Sequence, residues 1–196
     1  PDGRTYRFAL RRGIRFHNGA PLTSADVKWS LDRYLAPDSH WRCKSDLSAK
    51  GIAAVTAIDT PDPDTVDIVL DRPAPLFLAT LARLDCGGTG ITHRASVGPD
   101  GAWLYPIGTG PFRWGEWRHN QFIDLIKYDG YRPLPGGTDG NAGGKHALVG
   151  RVRFSVIPDG SAASAALLRG SLDVLDALAP NELGTIAGAP GIKQDS

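Results

Sequence analysis

The chain has 196 residues, with 22 Lys plus Arg against 21 Asp plus Glu and a formal net charge of +1. That balance provides no basic field of the kind that draws proteins to nucleic acid or a membrane surface. The longest apolar runs, such as Leu76–Ala82, fall far short of the ~20 residues that span a bilayer. A chain of this length buries roughly 70% of its unfolded surface, enough for one sizeable domain or two small subdomains.

In chain order, Tyr6, Phe8 and Leu10 alternate with polar or small neighbours, and so do Ile14 and Phe16, which predicts two half-buried strands. Asn18-Gly19 predicts a turn, since both residues tolerate positive φ. Thr23 is placed as a helix cap. Its hydroxyl can accept the amide of Asp26, whose carboxylate can reach back and also suits the positive helix start. Val27, Leu31 and Tyr34 then continue one apolar face. Two further strands are expected over 52–58 and 65–70, joined by the turn-forming run Thr60-Pro61-Asp62-Pro63-Asp64. Pro73 and Pro75 introduce a short helix with Leu76, Ala79, Thr80 and Arg83 at helical spacing, and the glycines of 86–90 end it before a short strand around Ile91.

Beyond a turn at Gly98–Gly101 and Pro106, strands are expected over 112–117 and 122–128. The Gly- and Pro-rich stretch 132–146 has little to bury and reads as a surface loop. Val152, Phe154 and Val156 predict a strand, 161–169 a helix closed by Gly170, 172–178 a strand, and Pro180 the start of a last helix. The expected class is therefore mixed α/β (α+β), with a small subdomain over 1–105 and a sheet-containing part over 106–196.

Few residues carry a pattern that suits catalysis. The five histidines never fall at the i, i+4 spacing that places two imidazoles on one metal. His40 and Cys43 form a lone HxxC pair without the third ligand that zinc requires. There is no G-x-S-x-G elbow and no phosphate loop, and Gly108-Thr109-Gly110 precedes a strand rather than a helix. No catalytic residue, metal or cofactor is expected.

Three stretches carry a resemblance in a common order: RRGIRFHNGAPLTSADVKWSLDR from Arg11 to Arg33; PIGTGPFRWGEW from Pro106 to Trp117, followed by Asp129-Gly130-Tyr131; and LLRGSLDVLDALAPNEL from Leu167 to Leu183. Together they closely resemble the extracytoplasmic solute-binding proteins, family 5, that serve ABC importers for peptides, nickel complexes and related solutes. The resemblance implies the first lobe of a type II-like periplasmic binding fold with the second lobe absent. It further implies capture of a small peptide or related solute between two lobes that close on a hinge, delivery to permease subunits, and a monomer in the periplasm or anchored outside the membrane. The chain starts at Pro1 without a charged-then-apolar leader, and an excerpt of a longer protein is expected. A ligand-sensing domain of a transcriptional regulator and a hydrolase are the alternative classes, the second without any nucleophile motif to support it.

In the family the loops that follow these helices face the cleft, which makes Trp41, Arg42, Asp85, Cys86 and Gly87 the ligand-binding candidates. Trp41 offers a flat apolar wall, Arg42 a fork for a carboxylate, and Asp85 a charge for an amino group. The alternative is a core Trp41 beside an exposed Arg42–Asp85 pair. Cys43 and Cys86, the only two cysteines, either form a disulfide, as an even count in an exported protein favours, or remain two buried thiols.

Overall fold

A computed structural model describes residues 2–83, 85, 89–139, 142–177, 183–186 and 188–193. The first sheet holds β1 (Thr5–Ala9), β2 (Val55–Asp62) and β3 (Thr65–Leu70) in the order β1-β3-β2, both pairs antiparallel. The central strand β3 has the cleanest alternation, with Val66, Ile68 and Leu70 almost fully buried and their neighbours half-buried. On the opposite face Arg7 and Asp67, cross-strand partners in register, form a two-pronged ion pair with both contacts at 2.7 Å.

Helix α1 (Ser24–Leu35) lies on this sheet and shares its core through Val27, Leu31 and Tyr34. The expected cap at Thr23 forms as a capping box, in which Asp26 Oδ2 accepts from Thr23 N at 2.9 Å and from Thr23 Oγ1 at 2.8 Å. The helix start is also tied to the β2–β3 turn, since Ser24 N donates to Pro63 O at 2.8 Å and Ser24 Oγ to Asp62 O at 2.6 Å. Helix α2 (Phe77–Leu81) closes the core, with Phe77 fully buried against Tyr6 at 4.6 Å between ring centroids. Each large side chain buried in this way contributes about 1.5–3 kcal/mol.

Several expected elements differ in the structure. Ile14–His17 is not a strand: only Arg15 pairs, with Pro21, because the chain reverses at Gly19 (φ 85°) two residues after His17. Strand β2 starts at Val55, not at 52, and runs on through Pro61. It is the sheet's edge, and the register shifts between Asp59 and Asp62; an edge and a bulge are the places where a proline's missing N–H costs no ladder bond. In α2 the buried residues are Phe77 and Thr80, while Leu76, read at one helical spacing with Thr80, is 64% exposed. No strand forms around Ile91; a 3-10 turn at Arg94–Ser96 follows instead.

Downstream, β4 (Phe112–Arg118), β5 (Phe122–Lys127) and β8 (Arg151–Ser155) make a sheet in the order β4-β5-β8. The glycine-rich stretch is not wholly loop, since β6 (Thr138–Asp139) and β7 (Ala142–Gly143) pair within it. Helix α3 (Gly160–Leu168) is capped by Asp159, whose Oδ1 accepts from Ala162 N at 2.7 Å, and ends at Gly170 with φ 72°. Residues 172–177, expected as a strand, form none, and α4 is a single turn at Leu183–Ile186. The expected helix start at Pro180 and the end of that strand at Leu178 lie outside the described residues.

The class is mixed helix and sheet. The chain divides into two compact units, one of residues 1–114 with 125–151 and one of 115–124 with 152–196. The sequence-based subdomains, 1–105 and 106–196, are a division by chain order, whereas these units interleave because β4 and β5 each pass from one into the other.

Candidate functional site

The C-terminal half of α1 builds one side of an open pocket of about 420 Å³ in the first unit, within the ~300–1,000 Å³ usual for small-molecule sites. Its lining includes Ser30, Tyr34, Asp38, His40, Trp41 and Trp103. Two side chains of α1 fasten the segment after the second helix. Ser30 Oγ accepts from Thr92 N at 3.1 Å and donates to Thr92 O at 3.2 Å, and Tyr34 Oη donates to Gly90 O at 2.7 Å. Burial pushes the Tyr34 phenol above its ordinary pKa, so it remains a neutral donor in this bond.

Helix α1 stops before Pro37, and the loop that follows is folded back by Lys44, whose Nζ donates to Pro37 O at 2.6 Å. Trp41 N donates to Ser39 Oγ at 3.1 Å, which turns the indole against Tyr34 with ring centroids 5.4 Å apart. Trp41 therefore separates two spaces. On its inner side it packs on the hydrophobic core around a void of only about 10 Å³, and on its outer side it walls the open pocket. Its Nε1 is buried and has no hydrogen-bond partner among the described residues.

Trp103 is a pocket residue that local sequence reasoning missed, as it did Ser30, Arg33 and Thr92. It bridges to Val97, Leu104 N donates to Ser96 O at 2.9 Å, and the fully buried Ser96 accepts from Ile107 N through Oγ at 3.0 Å. On this fixed backbone the Trp103 side chain is 52% exposed. Only the unusual Trp103-Leu104-Tyr105 run after a Gly-Pro-Asp-Gly turn could have drawn attention to it.

Of the residues singled out from sequence, Trp41 lies in the pocket wall, while Arg42 and Asp85 are exposed and do not line it. Asp85 is gripped by Arg83, with contacts of 2.9 and 2.6 Å, and Arg83 also reaches Asp46 at 2.6 Å. The Arg83 hydrogen bonds hold the Asp85 carboxyl below its usual range, and Arg42 adds only a weaker field. Cys86 and Gly87 lie outside the described residues. Cys43 is buried and disulfide-bonded. Among the described residues no group of three or more His, Cys, Asp or Glu side chains could hold a metal, and no helix is long and apolar enough to cross a membrane.

Comparison with known proteins places this architecture. The chain is 35% identical over 130 residues to the glutathione-binding protein GsiB of Salmonella choleraesuis, covering 66% of this chain and 24% of that protein. The Escherichia coli K12 GsiB is 36% identical over 132 residues, with the same coverage. The chain thus spans about a quarter of the length of the curated relatives it matches. Among solved structures, the periplasmic binding protein DppA of Helicobacter pylori, in complex with the peptide STSA, superposes with a TM-score of 0.76 at 23% identity, covering 97% of this chain and 38% of that one. AgaA of A. tumefaciens R10, in complex with agropinic acid, gives 0.71 at 25% identity, covering 97% and 35%. These neighbours have the type II-like periplasmic binding fold. The family model for the bacterial extracellular solute-binding proteins, family 5 (middle part), matches residues 1–196, and the chain belongs to that family.

Proposed function

We propose that this chain is part of the first lobe of a two-lobed solute-binding protein that works outside the cytoplasm, in the periplasm or held at the membrane by an anchor. It captures a small peptide or peptide-like solute and hands it to the permease of an ABC importer. The observation that carries this reading is the open pocket at the end of α1, walled by Trp41 and Trp103 and built on segments fixed by Ser30, Tyr34 and Ser96. A preformed wall binds without the cost of ordering a loop, and aromatic faces provide contact area with little rotamer entropy to lose. The role is binding rather than catalysis. GsiB is named for glutathione, and DppA was solved with a four-residue peptide, so a short peptide or a peptide-like thiol is the class we assign.

The remaining sequence-based candidates take supporting roles in this reading. Arg42 and Asp85 supply charges for the solute's termini, and Cys86 and Gly87 are the further ligand-binding candidates. The Cys43 bond is made with Cys86, the only other cysteine, and holds the Trp41 loop. The protein acts as a monomer, and residues 1–105 serve as the lobe's small subdomain.

Native mass spectrometry of the full-length protein as purified tests the reading. A co-purified solute of short-peptide mass, lost when Trp41→Ala is introduced, is expected; a protein that carries no solute and binds none of a dipeptide, tripeptide and glutathione panel overturns it. Residues 1–196 alone should bind the same solute far more weakly, because one lobe covers about half of a ligand that a cleft would bury by 70–90%. Losing half of an ~8 kcal/mol interaction moves a micromolar dissociation constant to about millimolar.

A further inference from the structure

His17 joins two parts of the chain that lie some ninety residues apart, and one of its contacts there requires a neutral ring. Its backbone N donates to Gly108 O at 2.9 Å. On the ring, Nδ1 accepts from Gly108 N at 3.3 Å, and Nε2 lies 3.0 Å from Gly110 O. A carbonyl can only accept and an amide can only donate, so the ring must be neutral with its proton on Nε2. Tyr128 packs edge-on against the imidazole at 5.0 Å between centroids and donates its hydroxyl to Phe16 O at 3.1 Å.

We propose that His17 is a pH-operated latch on the segment Gly108–Gly110, closed while the imidazole is neutral and opened when Nδ1 takes up a proton. Protonation turns Nδ1 into a donor facing the Gly108 N–H, so two donors oppose each other in a half-buried site. Among the described residues, the charged group that acts on the ring is Arg113 of β4, whose field opposes protonation, and the titratable Tyr128 packs against it. Burial, foremost, and then Arg113 hold the imidazole below its ordinary pKa, against the Gly110 bond.

The consequence is local. Ile107 is held separately, by His93 N at 2.8 Å and Ser96 Oγ at 3.0 Å, and Pro111 O by Tyr128 N at 2.9 Å. Between these fixed points Gly108 and Gly110 have no side chains; protonation removes the Gly108 N bond while Gly108 O stays on His17 N and Gly110 O on Nε2, which loosens a short link at the root of β4, the strand in which the chain leaves the first unit. The folded imidazole gives up its proton more readily than the unfolded one. The stability that His17 contributes is therefore complete above about 6.5, the ordinary value, and is lost as pH falls through the lower folded value.

Nitrogen-resolved NMR of the wild-type chain, combined with amide exchange, tests the latch. The ring should show the Nε2–H tautomer and titrate below 6.5, and Gly108 protection, corrected for intrinsic exchange, should fall about tenfold for each unit by which the folded pKa is depressed. That fall should begin near 6.5 and level off where the ring itself titrates. In His17→Asn the step in Gly108 protection should vanish while the Val66 and Ile68 amides keep their protection. An Nδ1–H tautomer, a ring titrating at or above the ordinary value, or Gly108 protection that does not follow the ring overturns the proposal. The wild-type readouts decide it even if the variant does not fold.

Discussion

Two strands of this chain have the same apolar alternation and opposite fates. Val66, Ile68 and Leu70 of β3 are 0–3% exposed, whereas Phe154 of β8 and Val156 just after it are 60% and 51% exposed. The difference lies in position rather than in residue type. β3 is central, paired on both sides and covered by α1 and α2, while β8 is the last strand in the order β4-β5-β8. What anchors β8 to its neighbour is polar: the buried Asp124 accepts from Arg153 at 2.8 and 2.9 Å, and the Arg153 guanidinium lies 3.6 Å from the centre of the Phe122 ring. A period of two thus identifies a strand without telling what covers it.

The sharpest way to break this contrast is to truncate one aromatic ring in each region. Phe77→Ala removes a fully buried ring from the first core and should cost about 3–5 kcal/mol, whereas Phe154→Ala should cost under ~1 kcal/mol. Urea unfolding of both variants measures the gap. Equal losses would mean that Phe154 is covered as well as Phe77.

A smaller effect is expected where the first core meets the pocket loop. Reducing the Cys43 bond should destabilise the chain by about 2–4 kcal/mol, since it opens a long covalent loop. Calorimetry with and without reductant follows it, and denatured, unreduced protein should titrate no free thiol. Two free thiols would remove the proposed pairing with Cys86.

Smallest of all is the cap. Thr23→Ala leaves the Asp26 carboxylate without the Thr23 hydroxyl and should lower stability by about 1 kcal/mol, within the usual range for N-cap losses. A change below ~0.3 kcal/mol in urea melts would mean that the contacts of Ser24 with the β2–β3 turn hold the helix start without the cap.

Local chemistry was enough to read much of this protein from its amino acids. The Thr23–Asp26 box, the turn at Gly19, the face made by Val27, Leu31 and Tyr34, and the alternation of β3 all depend on residues within a few positions of one another. Each therefore leaves a pattern in a short window. The family, too, was legible, because its three motifs stand in order along the chain. Tertiary structure alone decided what depends on distant partners. It placed Pro61 inside an edge strand, turned Phe77 rather than Leu76 inward, and brought Trp103 into the same pocket wall as Trp41 from sixty residues away. It also engaged Arg83 with Asp46 and aimed the two ring nitrogens of His17 at the backbone of Gly108 and Gly110. Such contacts are set by how whole elements pack, and side chains that meet across a fold carry no spacing that a local pattern could reveal.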